Sequence, residues 1–292
     1  MNTDLWIAVD WGTSNLRANL MRGPDLVEVR SSDAGMGKLQ PDGFEPALRA
    51  LCHDWLPAPV IACGMVGSRQ GWVEAPYHKA PCAPPGIAAA KSPPSMADVF
   101  VLPGISQAKP ADVMRGEETQ IAGLLAARPN FDGVVCLPGT HTKWARVSAG
   151  EIVSFQTFMT GELFQILAEK SVLSHSVAPE GWVSDDFSAA VSDALSHPGS
   201  VAAKLFSLRA EALLSGLDGG AARARLSGFL VGLELGGARP YWLGQEVVLI
   251  GSTSVARAYA EALETQGVHA LVADAEATTR AGLWAAWGRV HA

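Results

Sequence analysis

The residues best suited to chemistry fall in two short stretches of similar make-up. The first is Ile7-Ala8-Val9-Asp10-Trp11-Gly12-Thr13-Ser14-Asn15-Leu16-Arg17. An apolar run ends on an aspartate, a polar turn follows, and apolar alternation resumes at Leu16, Ala18 and Leu20. Two strands joined by a tight turn give that pattern. Gly12 lets the backbone approach a ligand with no Cβ in the way. The turn Gly12, Thr13, Ser14 and Asn15 offers N–H groups and hydroxyls to an anion. Asp10, at the strand end, suits a divalent cation held through water. The plainer alternative is an ordinary hairpin with a polar glycine turn. The second stretch runs from the strand Gly133-Val134-Val135-Cys136-Leu137 into Pro138-Gly139-Thr140-His141-Thr142-Lys143-Trp144. Strand, glycine–threonine turn, strand, turn, strand thus occurs twice, with starts roughly 130 residues apart, too long a period for a solenoid repeat. The echo predicts two similar lobes whose opposed turns clamp a polyphosphate.

Two other stretches carry reactive side chains. Gly64-Met65-Val66-Gly67-Ser68-Arg69-Gln70-Gly71-Trp72 follows an apolar strand. Arg69 and Gln70 offer a guanidinium fork and an amide to a polar ligand, the alternative being a mobile surface loop. Asp112-Val113-Met114-Arg115-Gly116-Glu117-Glu118-Thr119-Gln120-Ile121 reads as a loop turning into a helix with an acidic first turn. A carboxylate here, Asp112, Glu117 or Glu118, serves as a general base, or the segment is simply a capped helix with a solvated start. Gly35-Met36-Gly37-Lys38 is not a phosphate loop of the Walker kind. Ser32 stands where the first glycine is needed, and Leu39 follows the lysine where a magnesium-binding hydroxyl is needed.

The elements that position these residues are strands Leu5–Asp10, Leu16–Met21 and Leu26–Arg30, a helix over Phe44–Leu51, a buried strand ending at Gly64, and a strand Val99–Leu102. A hinge is expected at 128–132. Strands Ala145–Val147 and Ile152–Phe155 follow the second turn. Thr160 is the expected N-cap of the next helix. Residues 183–237 read as helical, with Arg223 and Arg225 on a solvated face. Strands Gln245–Ile250 and Val268–Val272 flank a helix reaching Leu263. A last helix, Ala275–Trp287, puts Leu283, Trp284 and Trp287 in the core.

Composition narrows the classes. Hydrophobic residues make up 48% of the 292, enough for a substantial core. The net charge of −7, with no basic run and no zinc-ligand spacing, argues against nucleic-acid binding. No apolar run approaches ~18 residues, so no membrane span is expected. Met1-Asn2-Thr3-Asp4 has no signal-peptide character. Cys52, Cys63, Cys82 and Cys136 are scattered, as reduced thiols of a cytoplasmic protein would be.

The first turn is similar to the Asp-x-Gly-Thr/Ser turn of the superfamily that unites sugar kinases, actin and the heat-shock chaperone ATPases. Ile7–Arg17, Gly64–Trp72, Asp112–Gln120, Leu137–Trp144 and Phe158–Phe164 together resemble the 2-dehydro-3-deoxygalactonokinase family. Val247–Leu263 is similar to the superfamily's adenosine-binding strand, glycine and helix. The resemblance implies an α/β fold of two ribonuclease H-like lobes, the actin-like ATPase fold, with mixed sheets, flanking helices and an inter-lobe cleft. Residues 1–130 would form the N-terminal lobe, with the first phosphate turn and the sugar-acid site. Residues 131–292 would form the C-terminal lobe, with the second turn and the adenosine site. The implied activity is ATP-dependent phosphorylation of the 6-hydroxyl of 2-dehydro-3-deoxy-D-galactonate, with magnesium required. Asp10 would organise the metal. Gly12, Thr13, Ser14 and Asn15, with Gly139, Thr140 and Thr142, would cradle phosphates. Lys143 or Arg17 would neutralise developing charge, and Gly251 would let adenosine lie against the backbone. Arg69 and Gln70 are the first choice for the substrate carboxylate, with Thr160 and Glu162 near the sugar hydroxyls. Asp112 is favoured as base because related kinases carry an aspartate just before the matching helix, with Glu117 close behind. His141 is an alternative. The rivals are a kinase for another sugar acid such as 2-dehydro-3-deoxygluconate, a nucleotide-switched regulatory ATPase, and a phosphatase. A homodimer is left open.

Overall fold

A computed structural model describes residues 5–288. The expectation at Met1–Asp4 falls outside them. The chain divides into two compact units. The first takes the chain up to Asp132, the segment Val147–Phe155 and the chain from Ala275 on; the second takes Gly133–Arg146 and Gln156–Asp274. The chain therefore does not part at one point, as 1–130 and 131–292 would have it. Its last helix returns to the first unit because its apolar residues pack there.

The first unit is built on β1 (Leu5–Trp11), β2 (Leu16–Arg22) and β3 (Asp25–Ser32), an antiparallel meander. Helix α1 (Phe44–Cys52) leads to β4 (Val60–Cys63), which pairs parallel with β1. The short β5 (His78–Lys79) precedes β6 (Val99–Val101), parallel to β4. The sheet order is β3-β2-β1-β4-β6. As a central strand, β1 is buried on both faces, which explains its nearly continuous apolar run. Its residues divide by the strand's period of two. Ile7, Val9 and Trp11 pack with Phe44 and Leu48, whereas Trp6 and Ala8 pack with Leu283 and Ala286 of the last helix. Asp10 is in phase with Trp6 and Ala8.

Strands β7 (Ile105–Ala108) and β8 (Ala111–Met114) form a hairpin that sequence reading left as loop. Helix α2 (Glu117–Ala127) then runs to the end of the first unit's opening segment.

A second five-stranded sheet repeats the plan. Its meander is β9 (Gly133–Leu137), β10 (Thr142–Ser148) and β11 (Glu151–Phe158). Helices α3 (Thr160–Lys170), α4 (Ser184–Ser196), α5 (Val201–Leu214), α6 (Gly219–Gly237) and α7 (Arg239–Trp242) follow. Strand β12 (Val247–Gly251) lies parallel to β9. Helix α8 (Thr253–Glu264) leads to β13 (Leu271–Asp274), parallel to β12. The order β11-β10-β9-β12-β13 matches that of the first sheet strand for strand. The internal echo is therefore a repeated topology.

Helix α9 (Ala275–Gly288) closes the described chain in the first unit. It packs closely on α2 because Gly123 and Gly282 face each other's helix. A Cβ on Gly123 would stand 1.9 Å from Thr278 O, and one on Gly282 1.8 Å from Thr119 O. Leu283 is fully buried, while Trp284 and Trp287 are half-buried and stack on Trp6. The four cysteines are free, and three of them are buried. Among the described residues no helix is long and apolar enough to cross a membrane.

Candidate active site

Each glycine–hydroxyl turn is held from behind in the same way. In the first unit, Thr13, Ser14 and Asn15 are exposed between β1 and β2. The Met36 and Gly37 N–H groups donate to Gly12 O and Thr13 O, both at 2.9 Å. Gly35 makes that approach possible: a Cβ there would fall 2.2 Å from Ser14 C and 2.4 Å from Thr13 O. The segment that superficially resembled a phosphate loop is thus the backing of the first turn. In the second unit Gly139, Thr140 and His141 are exposed, and Glu162 N–H donates to Thr140 O at 3.0 Å. Gly161 is the counterpart of Gly35, since its Cβ would meet Gly139 O at 2.2 Å. Carbonyls tied from behind leave the opposite edge of each turn to its donors. Gly12 and Gly139 themselves face open space: a Cβ on Gly12 meets only Asn15 O at 3.9 Å, and one on Gly139 meets nothing within 4 Å.

Around the first turn, charge collects where β1 and β4 end. Asp10 lies opposite Cys63 on β4 and Arg17 on β2. Arg17 Nη1 is 3.9 Å from Asp10 Oδ2, and its Nη2 is 3.5 Å from Glu276 Oε1 at the start of α9. Burial raises the Asp10 pKa, Arg17 lowers it and Glu276 raises it again. Gly64 and Gly116 take φ of 95° and 109°, which glycine adopts with ease. A Cβ on Gly64 would stand 3.6 Å from Asp10 Oδ1, and one on Gly116 3.4 Å from Gly64 Cα. The start of α2 is thereby brought beside the Asp10 carboxylate.

That geometry separates the three candidate bases. Asp112 lies on β8 opposite Gln107, with Oδ1 accepting from Val113 N–H at 2.8 Å. It is a strand residue, not the residue before a helix, because Ala111–Met114 closes a hairpin. Glu117 opens α2 and accepts from Arg115 N–H at 2.9 Å. Glu118 is buried and receives Gly116 N–H on both oxygens; burial pushes its pKa up to about 7.

The remaining predicted residues fall into different environments. Arg69 is 81% exposed and pairs with Glu74 at 3.5 Å, its neighbour Gln70 also exposed. Thr160 is the first residue of α3, and the N-cap is Met159, whose side chain makes no cap bond. Glu162 Oε2 lies 2.5 Å from His141 Nε2. Thr142 and Lys143 are buried on β10, where the strand runs inside the unit. A Cβ on Gly251 would meet Pro138 Cγ at 3.1 Å, so Gly251 seats β12 against the second turn.

Beside the second turn lies a cavity of about 700 Å³, wholly within the second unit. Gly139, Thr140 and Gly161 form one wall, and Trp182, Leu230 and Ala258 contribute to the others. Its volume and mostly apolar lining suit a nucleoside. Arg223 belongs to this wall rather than to a solvated face, with its guanidinium 4.8 Å over Phe164. Arg225 is engaged by both oxygens of Glu211.

Sequence reading passed over Glu234 as a functional residue. Buried in α6, it accepts from Trp144 Nε1 at 2.8 Å and from Tyr259 O–H at 2.7 Å. Thr142 and Thr160 also hydrogen-bond to it, and Thr142 Oγ1 lies 2.9 Å from Tyr259 O–H. Desolvation nevertheless raises its pKa to about 7. It fastens β10, α3 and α8 together beneath the cavity. The signal was a lone carboxylate interrupting the apolar run Phe229–Leu235. Glu276 had no comparable signal.

Comparison with known proteins points the same way. The profile of the 2-keto-3-deoxy-galactonokinase family matches residues 10–286. A Rhizobium meliloti (strain 1021) protein described as a probable 2-dehydro-3-deoxygalactonokinase is 43% identical, over 96% of each chain. The 2-dehydro-3-deoxygalactonokinase of Escherichia coli (strain K12) is 33% identical, over 96% of this chain and 97% of that one. A crystal structure from Sinorhizobium meliloti, of a protein provisionally assigned the same activity, superimposes with a TM-score of 0.91 at 39% identity, covering 98% of this chain and 99% of the other. The fold is that of the actin-like ATPases and sugar kinases. Matched from the first glycine–hydroxyl turn to the last helix, this chain belongs to the 2-keto-3-deoxy-galactonokinase family.

Proposed function

We propose that the chain transfers the γ-phosphoryl group of ATP to the 6-hydroxyl of 2-dehydro-3-deoxy-D-galactonate. The observation that carries this reading is the pair of glycine–hydroxyl turns, each with its carbonyls tied from behind and its opening glycine facing open space. As a member of a kinase family the chain uses ATP. The cavity beside Gly139 and Thr140 takes the nucleoside, which directs the phosphates to that turn, and Gly12, Thr13, Ser14 and Asn15 form the phosphate turn of the first unit. Among the described residues no group of three or more His, Cys, Asp or Glu could hold a metal. The single carboxylate of Asp10 beside the open first turn fits magnesium, which keeps several waters and leans on phosphate oxygens plus one or two carboxylates. Asp10 would hold it, and the ion would supply charge neutralisation to the transferring group.

Phosphoryl transfer leaves this chain to position the acceptor, take its proton and stabilise charge. Glu117, which opens α2 directly after the Gly116 that abuts Gly64, is the better base; Glu118 is committed on both oxygens to Gly116 N–H. Arg17, already between two carboxylates, orients Asp10. Lys143, buried on β10, is not in the exposed part of its turn. His141 and Glu162 act together at the rim of the second turn. Cytoplasmic location fits four thiols with no disulfide.

The test is ADP release with a panel of sugar acids, magnesium and ATP. The galacto-configured 2-keto-3-deoxy acid is expected to give the highest kcat/KM, with phosphate on the 6-hydroxyl by NMR. A higher value for the gluco epimer would replace the substrate. ADP formed at equal rate without any acceptor would replace the kinase reading with a regulatory ATPase.

A further inference from the structure

Arg115 follows β8 and turns inward, 9% exposed. Its Nη2 donates to Ala75 O at 2.8 Å, and its guanidinium carbon lies 4.3 Å over the Tyr77 ring. Its Nε and Nη1 are buried with no hydrogen-bond partner, and Arg115 forms no ion pair among the described residues. Glu118 is felt only as a longer-range charge. The Nη1 atom abuts Gly67, standing 2.8 Å from where a Cβ on that residue would be. The next residue, Ser68, is 5% exposed, and its hydroxyl is also buried without a partner. All of these residues belong to the first unit.

A buried guanidinium is costly unless an anion balances it. Even less buried arginines here have one: Arg30 takes Asp54 and Arg225 takes Glu211. Arg69, expected to hold the substrate's acid group, has Glu74 and lies in solvent. Arg115 therefore keeps two buried donors, Nε on one side of the guanidinium and Nη1 on the other, each able to take a carboxylate or keto oxygen. We propose that Arg115 and Ser68 form the site for the substrate's carboxylate, with the Ser68 hydroxyl available to the adjoining keto oxygen. This rests on the reading that the substrate is a 2-keto sugar acid. Because Gly67 and Tyr77 cover the fork, the acid displaces part of that cover on entry, and binding includes a local rearrangement of the 67–77 segment.

The experiment compares the keto acid with its C1 carboxamide as acceptors for wild type, R115Q, R115K and S68A, with melting temperatures for each. For R115Q the KM for the acid is expected to rise by about tenfold to a hundredfold, the loss of one or two charge-assisted bonds. The KM for ATP stays within about twofold, and the preference for acid over amide disappears. R115K, which keeps the charge but loses the fork, falls between. An equal loss for acid and amide would make Arg115 a structural tie and overturn the proposal, as would a raised KM for ATP instead. Should R115Q fail to fold, R115K and S68A decide: an unchanged KM for the acid in both overturns it. Wild type that phosphorylates neither compound would sink the proposed function itself, a separate result.

Discussion

Asp10 stands among opposing influences. Burial and Glu276 both work against its ionisation, and Arg17 at 3.9 Å only partly offsets them. A carboxylate whose surroundings oppose its ionisation, at a strand end beside an open turn, is a mark of function. Asp10→Asn should therefore leave the melting temperature unchanged or slightly raised while lowering turnover by at least about a hundredfold. Thermal melts and a coupled ADP assay across a magnesium titration check both halves. Turnover within tenfold of wild type would remove Asp10 from the chemistry. Asp10 was legible because it ends an apolar run and precedes Gly12-Thr13-Ser14, all local facts. Arg115 was in plain view but not assigned, because its meaning depends on Ala75, forty positions away, and on the loop around Gly67. Asp112 was preferred over Glu117 for want of the β7–β8 hairpin, whose strands are only four residues each.

The elements around each turn divide their glycines into two kinds. Gly35 and Gly161 let a second segment press on the back of the turn; Gly12 and Gly139 leave the front open. The consequence is testable in the second unit. Gly161→Ala puts a methyl 2.2 Å from Gly139 O and 3.0 Å from Thr140 Cα, backbone atoms that cannot step aside alone. It should lower the melting temperature by several degrees, the scale of an overpacked site, and weaken nucleotide binding with it. Gly139→Ala meets nothing and should melt as wild type, yet bind ATP more weakly because its methyl projects where the ligand passes. Calorimetric titration with a non-hydrolysable ATP analogue and melts of both variants separate the cases. Equal affinity for Gly139→Ala and wild type would mean that the second turn does not approach the nucleotide. The strand–turn–strand echo could be read from sequence because pleat and turn chemistry are local. The hydroxyl of Thr142 could not be placed: it sits on a strand whose inner face is decided by Tyr259, far along the chain.

At the scale of the molecule, each unit buries one carboxylate whose pKa rises to about 7: Glu118 in the first and Glu234 in the second. In the unfolded chain both lose their proton near 4.5. Between those values the native state holds protons that the unfolded state has released, so stability falls as pH rises from about 4.5 to about 7 and levels off above. The opposite sign belongs to surface carboxylates paired with cations, such as Asp54 with Arg30, whose pKa is lowered to about 2. Their contribution is lost on acidification below about pH 4, which leaves the stability optimum on the mildly acidic side of neutrality. Glu234→Gln keeps the shape of the protonated side chain but cannot ionise. Its melting temperature at pH 5 should match wild type closely. At pH 8 it should exceed wild type by several degrees, since the ionised carboxylate moved from 4.5 to about 7 costs roughly 3 kcal/mol. Melts of the two proteins from pH 4.5 to 8.5 test this. Parallel curves would mean that the hydroxyls and indole around Glu234 already hold it as an anion throughout, and that the second unit gains no acid stabilisation from it.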